Sequence, residues 1–477
     1  MELIVATNNQ GKVREFKNKL QNFEVFSLKD KGIVIDVEEN GTTFEENAIK
    51  KARAVCDLTG KMTIADDSGL EVFALDNAPG IYSARYGGEG LSDEQRYIKL
   101  LEEMENKTDR GARFVSVIAI CWPDGRDVTL RGECYGEILK APMGDGGFGY
   151  DPVFYYPPFD KTFGDLTLEE KNQVSHRAKA LEKLERFFKD GSAVLDNGVL
   201  RAEIVSRGAE VRKLTNAKGE DLLNTDLKKW NYTSPVLFPI LGKVKDGTGY
   251  YYQNKYYSPM PPHGFARDTE FLLVNASDSE ATFVLSQTPE TLKSYPFKFR
   301  LYVTHKLDKN FWRVSYRIEN DDEKELFFNI GSHEAYKIGD DWENYSVEFE
   351  KKENLAKNWL QNRSYRIQRD FTACEKSRAI YNAETQRDMF FFYKDMESSW
   401  IQLCHKGEPK VRVYFDKEET TSFGFWRSRR ANFFCLEPWS GVGDTRYASN
   451  HVEEKEFYRH LKAGESYSIQ HDIEFFL

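Results

Sequence analysis

The sequence predicts two joined domains: an α/β half over residues 1–190 and an all-β antiparallel sandwich over 195–477. Three observations predict it. Strand-like runs alternate with helical ones up to about Lys189. Several helix starts in that half carry capping residues. Beyond Leu195 the texture changes to short, aromatic-rich β segments between polar turns. A length of 477 residues also exceeds one ordinary core.

In chain order, "LIVAT" reads as a strand running through Asn8, Asn9, Gln10 and Gly11 into the helix "VREFKNKL". Thr43 with Glu46 predicts a capping box for "FEENAIKKARAVCDL", Ser92 with Gln95 one for "RYIKLLEEM", and Thr167 with Glu170 a third. The last helix of this half, "HRAKALEKLERFF", is expected to bury Ala178, Leu181, Leu184 and Phe188 on one side. "KDGSAV" supplies the break. The segments "YYYQNKYY", "EFLLVN", "ATFVLSQ", "RLYVTHKL", "FWRVSYRIEN" and "SIQHDIEFFL" then read as strands. No short fixed-period repeat or low-complexity tract interrupts either half.

Composition excludes several classes. With 40% apolar and 30% charged residues and no long uncharged apolar run, the chain is expected to be soluble, without membrane spans. "MELIVATNNQGK" lacks the basic and apolar regions of a signal peptide, so a cytoplasmic protein is expected. Cys56, Cys121, Cys134, Cys374, Cys404 and Cys435 are widely spaced and read as reduced, mostly buried thiols. A net charge of -10 argues against a nucleic-acid polymer as partner and leaves room for a small anion held by local cations.

In "TIADDSGLEV", Asp66, Asp67 and Ser68 follow a short apolar run. The tetrapeptide Asp-Asp-Ser-Gly reads either as a polar turn or as a hard-cation site, since Mg²⁺ takes a few carboxylates and leaves its other positions to water and phosphate. Four other stretches suit a phosphate or a base, although each also has an ordinary reading as a cap or a solvated face. Thr7 to Lys12 lies at a helix N-terminus, where backbone N–H groups favour an anion. Glu38 and Glu39 precede a helix carrying Lys50, Lys51 and Arg53. "GDGGFGYDPVFY" offers glycines for close approach, with Phe148 and Tyr150 to stack on a flat base. "EEKNQVSHR" places Lys171, Ser175, His176 and Arg177 at a helix entry.

"ATNNQGK", "TFEENAIKKA", "ADDSGLEV", "APGIYSARY", "GFGYDPVF" and "EEKNQVSHRAKAL", in this order, resemble the inosine-triphosphate pyrophosphatase family across the whole first half. The resemblance implies an elongated mixed α/β sheet with a cleft between two lobes, Mg²⁺ dependence, a homodimer, and pyrophosphate release from ITP, dITP or XTP. It implies that Thr7, Asn8, Asn9, Gln10, Gly11 and Lys12 hold the triphosphate, and that Glu39 and Asp67 bind metal, with Asp67 also activating water. Asp66 would assist the metal shell. Ser68, Phe148, Gly149, Tyr150, Asp151, Lys171, His176 and Arg177 would contact substrate, with Lys51 a further phosphate ligand.

The second half holds His263 in "PMPPHGFARDTEF", His333 in "NIGSHEAYKI", and Glu437 between apolar "NFFCL" and Pro438-Trp439. A carboxylate at that junction is a candidate for a raised pKa, or simply a strand-end residue capping a loop. "SPVLFPILGKVKDG", "HGFARDTEF", "GSHEAY" and "CLEPWSG" resemble the aldose 1-epimerase family. This implies a large sandwich, no metal or organic cofactor, and interconversion of sugar anomers. Glu437 would take the anomeric proton, His333 would protonate the ring oxygen, His263 would hold a hydroxyl and polarise the same centre, and Trp439 and nearby aromatics would offer an apolar platform. Glu334 stands where this family has proline and is expected to alter the loop or the pKa of His333. Lys243, in place of a common arginine, and Arg267 favour a phosphorylated sugar. Two alternatives stay open: a second half that only binds carbohydrate or regulates, and a first half that only binds nucleotide and regulates the second.

Overall fold

The computed structural model describes residues 2–144, 146–355, 358–361, 364–366, 372–373, 378–379, 389–394, 396–427, 431–445 and 447–477, with backbone alone for 343 and between 354 and 394. The chain forms two compact units, Met1–Lys189 with Val274–Asp278, and Asp190–Leu273 with Ser279–Leu477. No helix among the described residues is long and apolar enough to cross a membrane.

In the first unit, β1 (Glu2–Val5) lies between β2 (Glu24–Ser27) and β3 (Thr63–Val72), parallel to both. β3 continues the sheet antiparallel to β4 (Gly111–Cys121), which pairs with β5 (Asp127–Ile138). Helices α1 (Gln10–Lys19), α2 (Phe44–Thr59), α3 (Asp93–Glu103), α4 (Leu168–Val174) and α5 (His176–Asp190) complete the unit.

The Asp-Asp-Ser-Gly stretch is not a turn. It lies inside the ten-residue β3, paired in register as Asp66↔Ile118, Asp67↔Val117 and Ser68↔Ser116. Both faces of this strand are covered, so it lacks the apolar–polar alternation that announces a half-exposed strand. On one face α2 packs Phe44, Ala48, Ala52 and Cys56 against Ala65, Val115, Val117 and Ala119. On the other, Leu70, Val72, Ala112 and Phe114 join Cys134, Val153, Phe154 and Phe163.

Full capping boxes form at Ser92/Gln95 and Thr167/Glu170. At Thr43 only half of the box forms: its hydroxyl accepts from Glu46 N, while the Glu46 carboxylate takes the two donors that Thr42 offers, N and Oγ1. Helix α5 buries Ala180, Leu181 and Leu184, with Ala178 and Phe188 only half-buried. It lies against Gly132 of β5, where a Cβ would come within 2.0 Å of His176 O. The five described cysteines form no disulfide and are buried; Cys374 lies outside the described residues.

In the second unit, Tyr250–Tyr252 and Lys255–Tyr257 form a hairpin whose turn residues, Gln253 and Asn254, both have positive φ. Strands Glu280–Ser286, Phe299–Asp308, Phe311–Asn320, Ser466–Phe475, Glu408–Phe415, Trp400–His405 and Tyr345–Phe349 pair antiparallel in that order. A second sheet contains Glu334–Lys337, Phe433–Trp439, Ser422–Arg427 and Met389–Lys394. Phe415 on Phe423 and Phe349 on Phe425 join the two sheets face to face. Phe433–Trp439 is buried along its whole length, and it carries Cys435 and Glu437 on one face.

Candidate functional site

Each unit presents its own site. In the first, neighbouring carboxylates of a strand leave from opposite faces, so Asp66 and Asp67 meet different cations. Asp66 Oδ2 accepts from Lys12 Nζ of α1 at 2.7 Å and from the Arg177 guanidinium of α5 at 3.0 Å. Burial pushes its pKa up, but Lys12 and Arg177 outweigh burial and hold it down to about 2. Asp67, on the α2 face, accepts from Lys51 Nζ at 2.7 Å, and Glu39 lies 3.5 Å from the same ammonium. Burial raises Asp67 to about 6; Lys51 opposes the rise, and Glu39 and Asp66 add to it. Its Oδ2 is buried with no hydrogen-bond partner among the described residues.

The phosphate-loop residues divide by role. Asn9 Oδ1 accepts from Gly11 N and Lys12 N, which commits it to capping α1, and Thr7 Oγ1 accepts from Asn9 N. Asn8 and Gln10 are exposed beside the helix start. Ser68 Oγ donates to Ser116 Oγ at 3.0 Å.

A cavity of about 770 Å³ gathers Phe148, Lys171, His176 and Arg177 of the expected set, with Phe163 and Glu15. Phe148 is 67% exposed and its ring lies 4.9 Å from Lys171 Nζ. Tyr150 does not offer a stacking face: it is buried, with its hydroxyl donating to Ser83 O at 2.9 Å. Asp151 accepts from Lys171 Nζ and Phe148 N, while Gly149 N donates to Asp93. His176 stacks on Phe114 at 4.9 Å; burial, then Arg177 and Lys171, keep it well below its usual pKa, and its Nδ1 has no described partner. Phe163 and Phe114 carried no sequence signal beyond apolarity.

In the second unit, His333 Nε2 and Glu437 Oε1 are 3.4 Å apart, both residues buried. Burial, with a smaller contribution from Arg267, lowers His333 to about 3, and burial, aided by Glu334, raises Glu437 well above the carboxylate range. Both shifts favour the neutral form of each residue. His263, at φ 63°, accepts from Gly242 N through Nδ1 at 3.2 Å, which leaves its proton on Nε2. Its ring lies 5.8 Å from that of His333. Burial, then His333, Arg267 and Lys243, keep His263 neutral.

Two expectations fail here. Trp439 is no platform: it is fully buried with Leu237, Leu241 and Val442, beneath Gly331, where a Cβ would meet its ring at 2.4 Å. Trp230 and Trp426 flank His333 instead, at 5.0 and 5.4 Å. Glu334 is not a cause of the lowered pKa of His333. It heads a strand whose side chains alternate, and it turns to Ser332 Oγ at 2.7 Å and His471 Nε2 at 3.1 Å. Arg267 lies over Tyr232 at 4.8 Å and donates to Pro262 O, while its buried Nε lies 3.7 Å from Asp268 Oδ2 with no hydrogen-bond partner among the described residues. Lys243 is half-buried.

Fold and sites together define a chain of two enzyme units, one built around a cation-lined carboxylate cleft and one around an acid–base pair in a β-sandwich. Residues 3–187 match the Ham1 family and residues 192–467 the aldose 1-epimerase family, and the chain belongs to both. The first unit is 48% identical over 187 residues to a "dITP/XTP pyrophosphatase" of Staphylococcus aureus, covering 39% of this chain and 96% of that protein. A galactose mutarotase-like protein from Lactobacillus casei is 27% identical, with a TM-score of 0.53, covering 60% of this chain and 100% of that one. A galactose mutarotase related enzyme from Lactobacillus acidophilus shares the fold at 24% identity and a TM-score of 0.55, covering 60% of this chain and 97% of that one.

Proposed function

We propose that the first unit hydrolyses deaminated purine nucleoside triphosphates, ITP, dITP and XTP, to the monophosphate and pyrophosphate. The observation that carries this reading is the unpartnered Oδ2 of Asp67, on a carboxylate poised near neutrality beside Glu39 and Lys51. Asp67 takes a proton from the attacking water. Lys12, Lys51, Lys171 and Arg177 bind the phosphates, and Asp66 keeps Lys12 and Arg177 together. The resemblance implies Mg²⁺, and the residues fit it: Lys51 already sits as a cation between Glu39 and Asp67. Glu39 and Asp67 would hold the ion, which when bound lowers the pKa of water and offsets phosphate charge. His176 and Phe148 face the base, where a six-oxo group accepts hydrogen bonds that adenine's amino group cannot. The name of the S. aureus relative supports the substrate class. Pyrophosphate release from ITP, XTP, dITP, ATP and GTP, with Mg²⁺ and with EDTA, tests the reading. Turnover of ITP and XTP far above ATP, lost in EDTA, is expected; equal turnover of ATP overturns it.

For the second unit we propose sugar anomer interconversion, carried by the buried pair His333–Glu437 at 3.4 Å. The ring opens when one member protonates the ring oxygen while the other takes the anomeric proton, and it recloses on either face. Trp230 and Trp426 supply apolar walls. Arg267 and Lys243 favour a phosphorylated aldose. Polarimetry with glucose, galactose and hexose 6-phosphates tests this; no rate above the uncatalysed one for any of them makes this unit a binding module. Homodimerisation and a cytoplasmic location are part of the same reading, the former checked by light scattering.

A further inference from the structure

One face of the buried strand Phe433–Trp439 brings a thiol beside the acid–base pair of the second unit. Ligand atoms of His333, Cys435 and Glu437 all lie within 4.8 Å of one another, and all three residues are buried. Cys435 has an ordinary reading as a small apolar filler, packed with Ala335, Ala431 and Phe433 against Trp230 and Trp426. A filler needs no polar neighbour, yet both carboxylate oxygens of Glu437, a fully buried residue, lack a hydrogen-bond partner among the described residues, as does His333 Nδ1. His333 Nε2 approaches Glu437 Oε1 to 3.4 Å without hydrogen-bond alignment. Ligand bonds of about 2.0–2.3 Å in a tetrahedron put neighbouring ligand atoms roughly 3.3–3.7 Å apart. The nitrogen and oxygen already have that spacing, and the thiol needs to close by about 1 Å on the same measure.

We infer that His333, Cys435 and Glu437 form a site for a thiophilic divalent cation of the Zn²⁺ class. One sulfur, one imidazole nitrogen and one carboxylate oxygen suit Zn²⁺ or Co²⁺ and not Mg²⁺ or Ca²⁺, which take oxygen donors. The register supplies the set: Cys435 and Glu437 are two apart on one strand, and His333 precedes the strand paired to it as Glu334↔Leu436. Three protein ligands leave the fourth tetrahedral position to water or another small ligand. Both members of the proposed acid–base pair become ligands, so metal and sugar exclude each other. The metal site itself stands independently of the sugar reading.

The test uses the full, metal-stripped chain and Co²⁺ as probe, because a thiolate–Co²⁺ bond gives a near-ultraviolet charge-transfer band that the oxygen ligands of the first unit cannot produce. One equivalent of Co²⁺ is expected to develop the band and Zn²⁺ to abolish it. Cys435→Ala loses the band, Glu437→Gln weakens Co²⁺ binding by about tenfold or more, and Cys56→Ala leaves both unchanged. Cys435→Ser, nearly isosteric, gives the same answer where the alanine protein does not fold. Absence of the band in the wild-type chain, or its survival in Cys435→Ala or Cys435→Ser, overturns the site. Inhibition of anomer interconversion by Zn²⁺ is a separate readout, and its absence alongside an intact band overturns only the mutual exclusion.

Discussion

Lys51 Nζ and Asp67 Oδ1 form a 2.7 Å ion pair across the α2–β3 packing, yet the pair leaves the second oxygen of Asp67 buried and unpartnered. One oxygen is fixed and the other is left for chemistry. Burial holds this carboxyl at about 6 in the metal-free chain, and a cation bound to it favours the anion, so the acid limb of kcat/KM for ITP is expected below about 6. Lys51→Gln removes the charge opposing burial and is expected to move that limb upward. A pH–rate profile of both proteins checks this, and an unmoved limb in the variant assigns the titration elsewhere.

The same raised pKa makes Asp67 costly to the fold. A carboxyl whose folded pKa lies above its ordinary 3.8 favours folding below that value and loses the contribution as pH rises through about 6. Asp67→Asn is therefore expected to abolish turnover while stabilising the metal-free chain at pH 7.5, by up to about 3 kcal/mol. A higher midpoint for the first unfolding transition checks it.

Asp66 has the opposite sign. Its pKa, held at about 2 by Lys12 and Arg177, gives stability that is present above the ordinary 3.8 and lost as pH falls toward 2. Asp66→Asn leaves two cations facing each other without their shared acceptor. A loss of about 2 kcal/mol at pH 7, together with a KM rise exceeding the change in kcat, is expected from denaturant titration and ITP kinetics.

The two fold classes and most capping residues were legible because helix caps and strand texture are local properties, and Asp66, Asp67, His333 and Glu437 stood out by residue type alone. That Asp66 to Gly69 lie inside β3 and not in a turn was not legible, because the covering of both its faces is decided by α2 and by the Phe114 cluster, far away in sequence. Tyr150 and Trp439 were assigned as stacking faces because a sequence gives ring identity and not burial; Ser83 O claims one ring's hydroxyl and Gly331 makes room for the other ring. Trp230 lies 103 positions before His333, as their numbers give, so nothing local announces their contact. Glu334 was expected to act on His333, but strand alternation sends it to His471.

Gly132 places His176. A methyl group there would meet His176 O at 2.0 Å and Ala180 N at 2.5 Å, both backbone atoms of α5 that cannot swing aside. Gly132→Ala is expected to push the start of α5 off the sheet, carrying Arg177 away from Asp66 and widening the cavity between Phe148 and His176. Overpacking of this kind costs about 1–3 kcal/mol or more. The ITP-to-ATP selectivity ratio is expected to fall along with stability, whereas Ala180→Gly in the same protein restores neither, because the clash is with main chain.

Neutral His333 and protonated Glu437 make a second pH prediction. His333 stays uncharged down to about pH 3, so its own titration cannot shape activity near neutrality. Any limb between pH 5 and 8 in anomer interconversion belongs to another group, and the structure puts the ionisation of Glu437 above the ordinary carboxylate range through burial first and Glu334 second. Glu334→Gln removes the second cause, so an alkaline limb due to Glu437 moves to lower pH, whereas Glu437→Gln abolishes turnover without lowering stability at neutral pH, since a neutral acid is exchanged for a neutral amide of the same shape. Rates by polarimetry from pH 5 to 9, with unfolding midpoints of both variants, decide this. A limb that ignores Glu334→Gln takes Glu437 out of the titrating step.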